Sequence, residues 1–442
     1  MRIDMFVYNR CTTDARVLKE ARTLTEAGHR VRIVAVLDTT TETLEERDGF
    51  RIVRIDRDPL HYRALRALRI ASGAWRRPLP LGSRRPGPGP SRARAVARLA
   101  LAPLVLIERG VRHLLLAPHK PLMFFDYYAR AYRLVRADPP DALHAHDLNT
   151  LPVAAALARR SGLPLTYDAH ELYPEISTLS PREAATWRFL ERRLAGRADH
   201  VVTVCDSIAA EIEHRYGVPR PTVLLNCPIA GSANGNGGEA GAPGEASSGS
   251  AADVLRAWAG LEGDAAPLVL YQGGFAPHRG LPTLVRSAHE LERGKIVLMG
   301  WGRLEEELRE LIAREGLEER VRITGPVPQG QVVAYAAGAT IGVIPYEPVG
   351  LNNTYTTPNK LFDYMAAGLP VAASRLPELT RFVERGGMGL TFAPGDPASM
   401  GKTINAILSD PDRYQLMRKR AQEAARRYTW EQESSKLLAL YS

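Results

Sequence analysis

Two stretches of this chain combine residue types that can do chemistry. The first, Tyr271-Gln272-Gly273-Gly274-Phe275-Ala276-Pro277-His278-Arg279-Gly280-Leu281, follows a short apolar run and precedes a helical pattern. Two glycines at a strand end let backbone approach a ligand closely, and Arg279 can grip phosphate oxygens through two parallel hydrogen bonds. The second lies some eighty residues later, where Thr356-Thr357-Pro358-Asn359-Lys360-Leu361-Phe362-Asp363 opens a helix that Gly368 ends. Here Thr357 is the expected N-cap and Pro358 the first helical residue, where its missing N–H costs nothing. The free amides and the helix dipole favour an anion, and Lys360 in the first turn adds positive charge. Asp363, three residues on, shares that face, where a carboxylate suits the two hydroxyls of a ribose. Taken singly, each stretch is explained as a glycine turn or as a capped helix with a Lys–Asp pair. Taken together in one domain, they point to a nucleoside diphosphate. The glycine spacing is not that of a GxGxxG dinucleotide fingerprint.

The amino-terminal half has polar strand ends of its own, in Asp141-Ala142-Leu143-His144-Ala145-His146-Asp147 and Tyr167-Asp168-Ala169-His170-Glu171. A histidine such as His146 is most often satisfied by a backbone carbonyl, and a ligand-facing role is the sharper alternative. His144 is expected to point the other way by strand alternation. His170 and Glu171 are placed on the cleft. Asn9 and Arg10, just after the first strand, are placed on its rim, facing the acceptor or a donor phosphate. No His/Asp/Glu grouping has metal-ligand spacing, so no bound metal is expected.

These residues need a scaffold, and the apolar pattern supplies one. Ile3–Tyr8, Val31–Leu37, Ala142–Ala145, Leu165–Asp168, Val201–Val204 and Thr222–Leu225 read as strands separated by helical spacing. Leu268–Gln272, Lys295–Gly300, Val321–Thr324, Ile341–Pro345 and Pro370–Ser374 repeat the theme. Strands alternating with amphipathic helices imply α/β domains with parallel sheets and right-handed crossovers. The length of 442 residues exceeds one ordinary core. Low-complexity Gly231–Ala252 is the expected linker, dividing domain 1–230 from domain 253–425, with a last helix over 426–442. Ligands of open parallel sheets bind at the carboxyl ends of the strands.

Charge is uneven. Of 58 basic and 49 acidic residues, seventeen basic and three acidic lie within 57–136, leaving the rest of the chain at −5. The segment has no reader motif for nucleic acid, so an anionic membrane face or an acidic acceptor is the expected partner, with Arg63, Arg66, Arg69, Arg76 and Arg77 making a peripheral contact. Three scattered cysteines exclude a disulfide scaffold and fit a reducing cytoplasm. Leu99–Ile107, the longest greasy run, is too short to span a bilayer, and the start carries no expected secretion signal.

At the level of motifs the chain resembles glycosyltransferase family 4. The likeness rests on Gly273-Gly274 with Arg279-Gly280-Leu281, Gly300-Trp301-Gly302, Thr324-Gly325-Pro326-Val327 and above all the run from Pro358 through Val371. It implies the GT-B fold of two facing Rossmann-like domains, and retaining transfer of a sugar from a nucleotide donor to a glycan, lipid-linked or small-molecule acceptor. The nucleotide-sugar is then a co-substrate and no cofactor is implied. By position, Gly273 and Gly274 match the phosphate-facing backbone, Arg279 and Lys360 the groups that stabilise the departing diphosphate, and Asp363 the ribose acid. Thr356, Thr357 and Asn359 match the loop that meets the diphosphate, and His146 the histidine facing the transferred sugar. The family's common arginine is replaced by Gly273 and its common sugar-touching glutamate by Tyr355. A nucleotide-sugar epimerase of the same fold and a catalytically degenerate binding subunit are the alternatives.

Overall fold

The computed structural model describes residues 1–64, 119–229 and 250–442. Most of the basic segment, including Arg66, Arg69, Arg76 and Arg77, and most of the expected linker lie outside these residues. Contacts divide the chain into two compact units, Met1–Leu165 and Thr166–Ser442.

In the first unit, strands β1 (Arg2–Phe6), β2 (Arg30–Val36), β3 (Leu44–Arg47), β4 (Phe50–Ile55) and β5 (Ala142–His146) lie in the order β3-β4-β2-β1-β5. All neighbours are parallel except the β3–β4 hairpin. Asp14 caps the helix Ala15–Glu26 by accepting from Val17 N–H, and the Val17, Ala21 and Leu24 face is buried. The part of the basic segment that is described is largely a helix, His119–Ala137, with Tyr127, Ala131 and Val135 buried. Tyr127 donates from its hydroxyl toward the carbonyls of Val34 (2.9 Å) and Val7 (3.2 Å), fastening that helix to the sheet.

The second unit begins with the parallel strands β6 (Leu165–Ala169), β7 (His200–Thr203) and β8 (Thr222–Val223). Its six-stranded sheet contains β9 (Leu268–Gln272), β10 (Lys295–Met299), β11 (Val321–Ile323), β12 (Ile341–Ile344), β13 (Val371–Ser374) and β14 (Gly389–Phe392), ordered β11-β10-β9-β12-β13-β14 and wholly parallel. Every residue of β9 is buried: Leu268 and Leu270 join one hydrophobic cluster, Val269 and Tyr271 the other. Apolar residues on both faces are what a sheet covered on both sides requires. From β9 the chain builds outward through β10 and β11, then returns to place β12 on the other side. The strand order therefore reverses between β9 and β12, the point where such sheets open a crevice.

Polar bonds tie the β6–β8 region to the rest of this unit. Glu378 accepts from Ser207 N–H (2.8 Å) and Ser207 Oγ (2.6 Å) at the start of the helix Asp206–Tyr216. Asn352 accepts from Leu172 N–H and donates to Leu172 O. In the last helix, Trp430–Leu438, Glu433 accepts from Leu225 N–H (2.9 Å). Among the described residues, no helix is long and apolar enough to cross a membrane.

Candidate functional site

A cavity of about 500 Å³ opens at the carboxyl ends of β9 and β12, within the size range of small-ligand sites. Gln272, Gly273, Gly274, Arg279, Tyr346, Thr356, Asn359, Lys360 and Asp363 line it, together with Met299, Gly300, Trp301 and Pro326.

The glycine turn is held by a second one. Gly273 N–H donates to Met299 O and Phe275 N–H to Trp301 O, both at 2.9 Å. A Cβ on Gly300 would lie 2.0 Å from the Gly273 carbonyl oxygen, so the two loops approach as closely as they do only because Gly300 is bare. Downstream, Arg279 sits between His278 (φ 64°) and Gly280 (φ 67°), two left-handed residues that fold the loop back. A Cβ on Gly280 would be 1.8 Å from Pro345 O, which makes glycine obligatory there. The loop is then pinned to the segment after β12, since His278 O accepts from Glu347 N–H at 3.2 Å.

The second element is the helix Asn359–Ala366. Pro358, with extended ψ of 145°, is its N-cap and Asn359 its first residue, which corrects the expected assignment of Thr357 as cap and Pro358 as first helical residue. Proline keeps the residue before it out of the helical region, so Thr357 stays in the preceding loop. Thr356, rather than Thr357, lines the cavity. The helix is anchored by Tyr364, whose buried hydroxyl donates to Leu270 O (3.0 Å) and accepts from Gln272 N–H (3.2 Å). Gly342 on β12 makes room for that ring.

Anchored in this way, the helix carries Lys360 and Asp363 into the cavity. Lys360 is nearly buried; its Nζ donates to Tyr346 Oη at 3.2 Å and stands 4.1 Å from the Tyr271 ring centre. The Arg279 guanidinium lies 4.2 Å from the Tyr346 ring centre. Two cations are therefore held by one aromatic pair, which fixes them without neutralising them. Burial alone would raise the Tyr346 phenol, but Lys360 and Arg279 reverse it to a net downward shift. Tyr271 is raised, by burial against the opposing pull of Lys360. Asp363 accepts from Gln272 Nε2 at 2.8 Å, which orients its carboxylate.

Family models match both halves of the chain. The family model of glycosyl transferases group 1 matches residues 266–410, which include every residue lining the cavity. That of Glycosyltransferase Family 4 matches residues 83–229, so the two account for about two thirds of the chain. The chain belongs to glycosyltransferase family 4. It is 27% identical to D-inositol 3-phosphate glycosyltransferase 1 of Catenulispora acidiphila over 68% of this chain and 72% of that one. With 2-deoxystreptamine glucosyltransferase of Streptomyces kanamyceticus it shares 24% identity over 63% of this chain and 71% of the relative. Among solved structures, sucrose-phosphate synthase of Thermosynechococcus elongatus aligns at a TM-score of 0.68 with 17% identity, covering 100% and 98% of the two chains. HepE of Anabaena in complex with UDP aligns at 0.67 with 17% identity and 99% of both chains covered. The two parallel-sheet α/β domains are thus those of the GT-B fold.

In this glycosyltransferase the motif residues Gly273, Gly274, Arg279, Thr356, Asn359, Lys360 and Asp363 converge on one cavity. Gln272 and Tyr346 belong to it as well and were not singled out from sequence; the signal available for both was their place at or just past the ends of β9 and β12. Tyr355, where the family commonly has glutamate, does not line the cavity. Its phenol is raised, by burial and then by the Glu211 carboxylate to which it hydrogen-bonds. Glu171 accepts from Asn352 Nδ2 at 3.4 Å, and His170 Nε2 lies 3.1 Å from Asp168 Oδ2.

His146, Asn9 and Arg10 belong to the first unit. His146 is buried and its ring stacks on His144 at 4.3 Å, so the two histidines share a face. This corrects the expectation that His144 points away: residues two apart on a strand project to the same side. His144 Nε2 lies 3.6 Å from Glu20, which pairs with Arg16 at 3.1 Å. Glu20, His144 and His146 therefore offer ligand-type atoms within 4.8 Å of one another, a grouping that linear spacing did not reveal. Asn9 accepts from Cys11 N–H and donates to Asp14. Arg10 donates to Asp38, whose carboxyl is pushed down to about 2 chiefly by the Thr40 N–H it accepts.

Proposed function

We propose that this glycosyltransferase takes its sugar from a nucleotide-sugar seated in the cavity at the β9–β12 switch point. Transfer is to a glycan, lipid-linked or small-molecule acceptor, with retention of anomeric configuration. The observation that carries the reading is the pairing of Arg279 and Lys360 beside the Gly273–Gly274 turn, with a carboxylate, Asp363, at the same cavity. Two fixed cations stabilise the negative charge that grows on a departing diphosphate and need no reorganisation as it forms. Asp363, oriented by Gln272, is suited to the ribose hydroxyls. HepE, whose fold this chain shares, was solved with UDP and with UDP-glucose, which supports a nucleotide donor here.

The test is a thermal-shift screen of the purified protein against UDP-, GDP- and dTDP-sugars, since a ligand of the folded state raises its melting point. One nucleotide series is expected to stabilise the protein, and Arg279→Ala and Lys360→Ala to lose that response while remaining folded. Binding at wild-type affinity by both variants overturns the reading. The basic excess within 57–136 supports a peripheral contact with anionic membrane. Liposome co-sedimentation indifferent to lipid charge and salt would exclude it.

A further inference from the structure

Three buried phenols lie near Lys360 and the helix that bears it, Tyr271, Tyr364 and Tyr346, and only the last lines the cavity. Tyr271 donates its proton to Gly274 O at 3.0 Å, and Tyr364 donates to Leu270 O at 3.0 Å. Tyr346 is the exception. Its hydroxyl is in contact with Lys360 Nζ, and an ammonium only donates, so the Tyr346 oxygen is the acceptor there. The other charged group against it, Arg279, is also a pure donor. Among the described residues this is the one hydrogen bond of the Tyr346 hydroxyl, although the residue is only 5% exposed. A buried donor left without an acceptor is costly, and this one belongs to a side chain that lines the cavity.

We propose that Tyr346 donates its phenol proton to an oxygen of the bound nucleoside diphosphate, making it a third binding group beside Arg279 and Lys360. The inference rests on the nucleotide-sugar reading above and deepens it. An anion with several acceptor oxygens and no donor is the chemistry that a phenol flanked by two cations would complete. The downward shift of the phenol strengthens it as a donor. No proton need be transferred: the O–H bond stays intact, and the hydrogen bond tightens as charge builds on the leaving diphosphate.

The variants Tyr346→Phe and Tyr346→Ala separate this role from ring packing. Phenylalanine keeps the face under Arg279 and removes only the hydroxyl; alanine removes both. Affinities for UDP, GDP and dTDP are measured by titration calorimetry, together with the melting point of the ligand-free protein. Tyr346→Phe is expected to bind the preferred nucleoside diphosphate about tenfold to a hundredfold more weakly, the range of a hydrogen bond to a charged group, with its ligand-free melting point within about 2 °C of wild type. A phenylalanine variant that restores wild-type affinity while alanine does not would assign the residue to packing alone and overturn the proposal. A loss of affinity that merely follows a large fall in melting point would overturn it too. If the wild-type protein binds none of the three diphosphates, the nucleotide-sugar reading itself fails, a result distinct from either outcome.

Discussion

Gly342 is where packing and chemistry meet most directly in this glycosyltransferase. It lies on β12, paired with β13 on one side and β9 on the other, and a Cβ there would stand 2.5 Å from Cγ and Cδ2 of the Tyr364 ring. The ring cannot swing away cheaply, because its hydroxyl is fixed to Leu270 O and Gln272 N–H. Gly342→Ala therefore forces overpacking of about 1–3 kcal/mol, and displacing the buried hydroxyl adds about 1–3 kcal/mol. The loss of glycine freedom in the unfolded chain returns only about 0.4–1 kcal/mol. A net cost of about 2–4 kcal/mol corresponds to a melting point lower by about 4–8 °C for a unit of this size. Because Tyr364 sits on the helix that bears Lys360 and Asp363, nucleotide affinity should fall with it. Calorimetry on Gly342→Ala, Tyr364→Leu and the double variant gives the coupling. Removing the ring should make the alanine nearly harmless, an interaction of at least about 1 kcal/mol. Strictly additive costs, or a single variant melting within about 2 °C of wild type, would refute the argument.

Gly274 offers the opposite case. A Cβ there meets nothing within 4 Å, so Gly274→Ala should leave the melting point within about 1 °C while weakening diphosphate binding, checked by scanning and titration calorimetry. Glu378 is buried against Ser207 N–H, Ser207 Oγ and Arg381. Because Arg381 keeps partial access to water, Glu378→Ala should cost about 2–3 kcal/mol by urea unfolding, clearly more than Ser207→Ala at about 1 kcal/mol. Burial pushes the Cys11 and Cys205 thiols up to about 12, so each stays protonated at any pH well below that value. The native protein should not react with a disulfide reagent at pH 8, and should expose all three thiols in denaturant; fast labelling of the native state would contradict this burial.

Much of the scaffold could be read from composition alone, because strands buried on both faces have to be apolar without interruption. Leu268–Gln272 and Ile341–Ile344 show up in that way. The β3–β4 hairpin does not, since β3 reads Leu44-Glu45-Glu46-Arg47 and lies at the sheet edge, half in water. Its partner strand also hides Arg54, a residue no pattern would place in a core. That guanidinium is buried because the Arg10 and Glu42 carbonyls and the Glu45 carboxylate surround it. β14 escapes for another reason: Gly389-Leu390-Thr391-Phe392 opens on a glycine and carries a threonine, so it shows no unbroken apolar run of the kind that marks Ile341–Ile344.

The site divides along the same line between local and convergent information. Gly273, Gly274, Arg279, Lys360 and Asp363 are legible because each stands in a strand-end or helix-start context that already implies a phosphate or a ribose. Tyr346 stands fourteen residues before Lys360 in an unremarkable proline–tyrosine step, and nothing local marks it. Its meaning comes from the strand order, which sets the end of β12 beside the end of β9. The same order explains why two cations can share so small a volume. Arg279 arrives from the loop after β9, Lys360 from the helix after β12, and their mutual repulsion is offset by the π-face of Tyr346 and by the hydroxyl that accepts from Lys360. An anion entering this cavity would meet charge that folding has already set in place, and sequence motifs alone, which name the cations but not what holds them, do not convey that preorganisation.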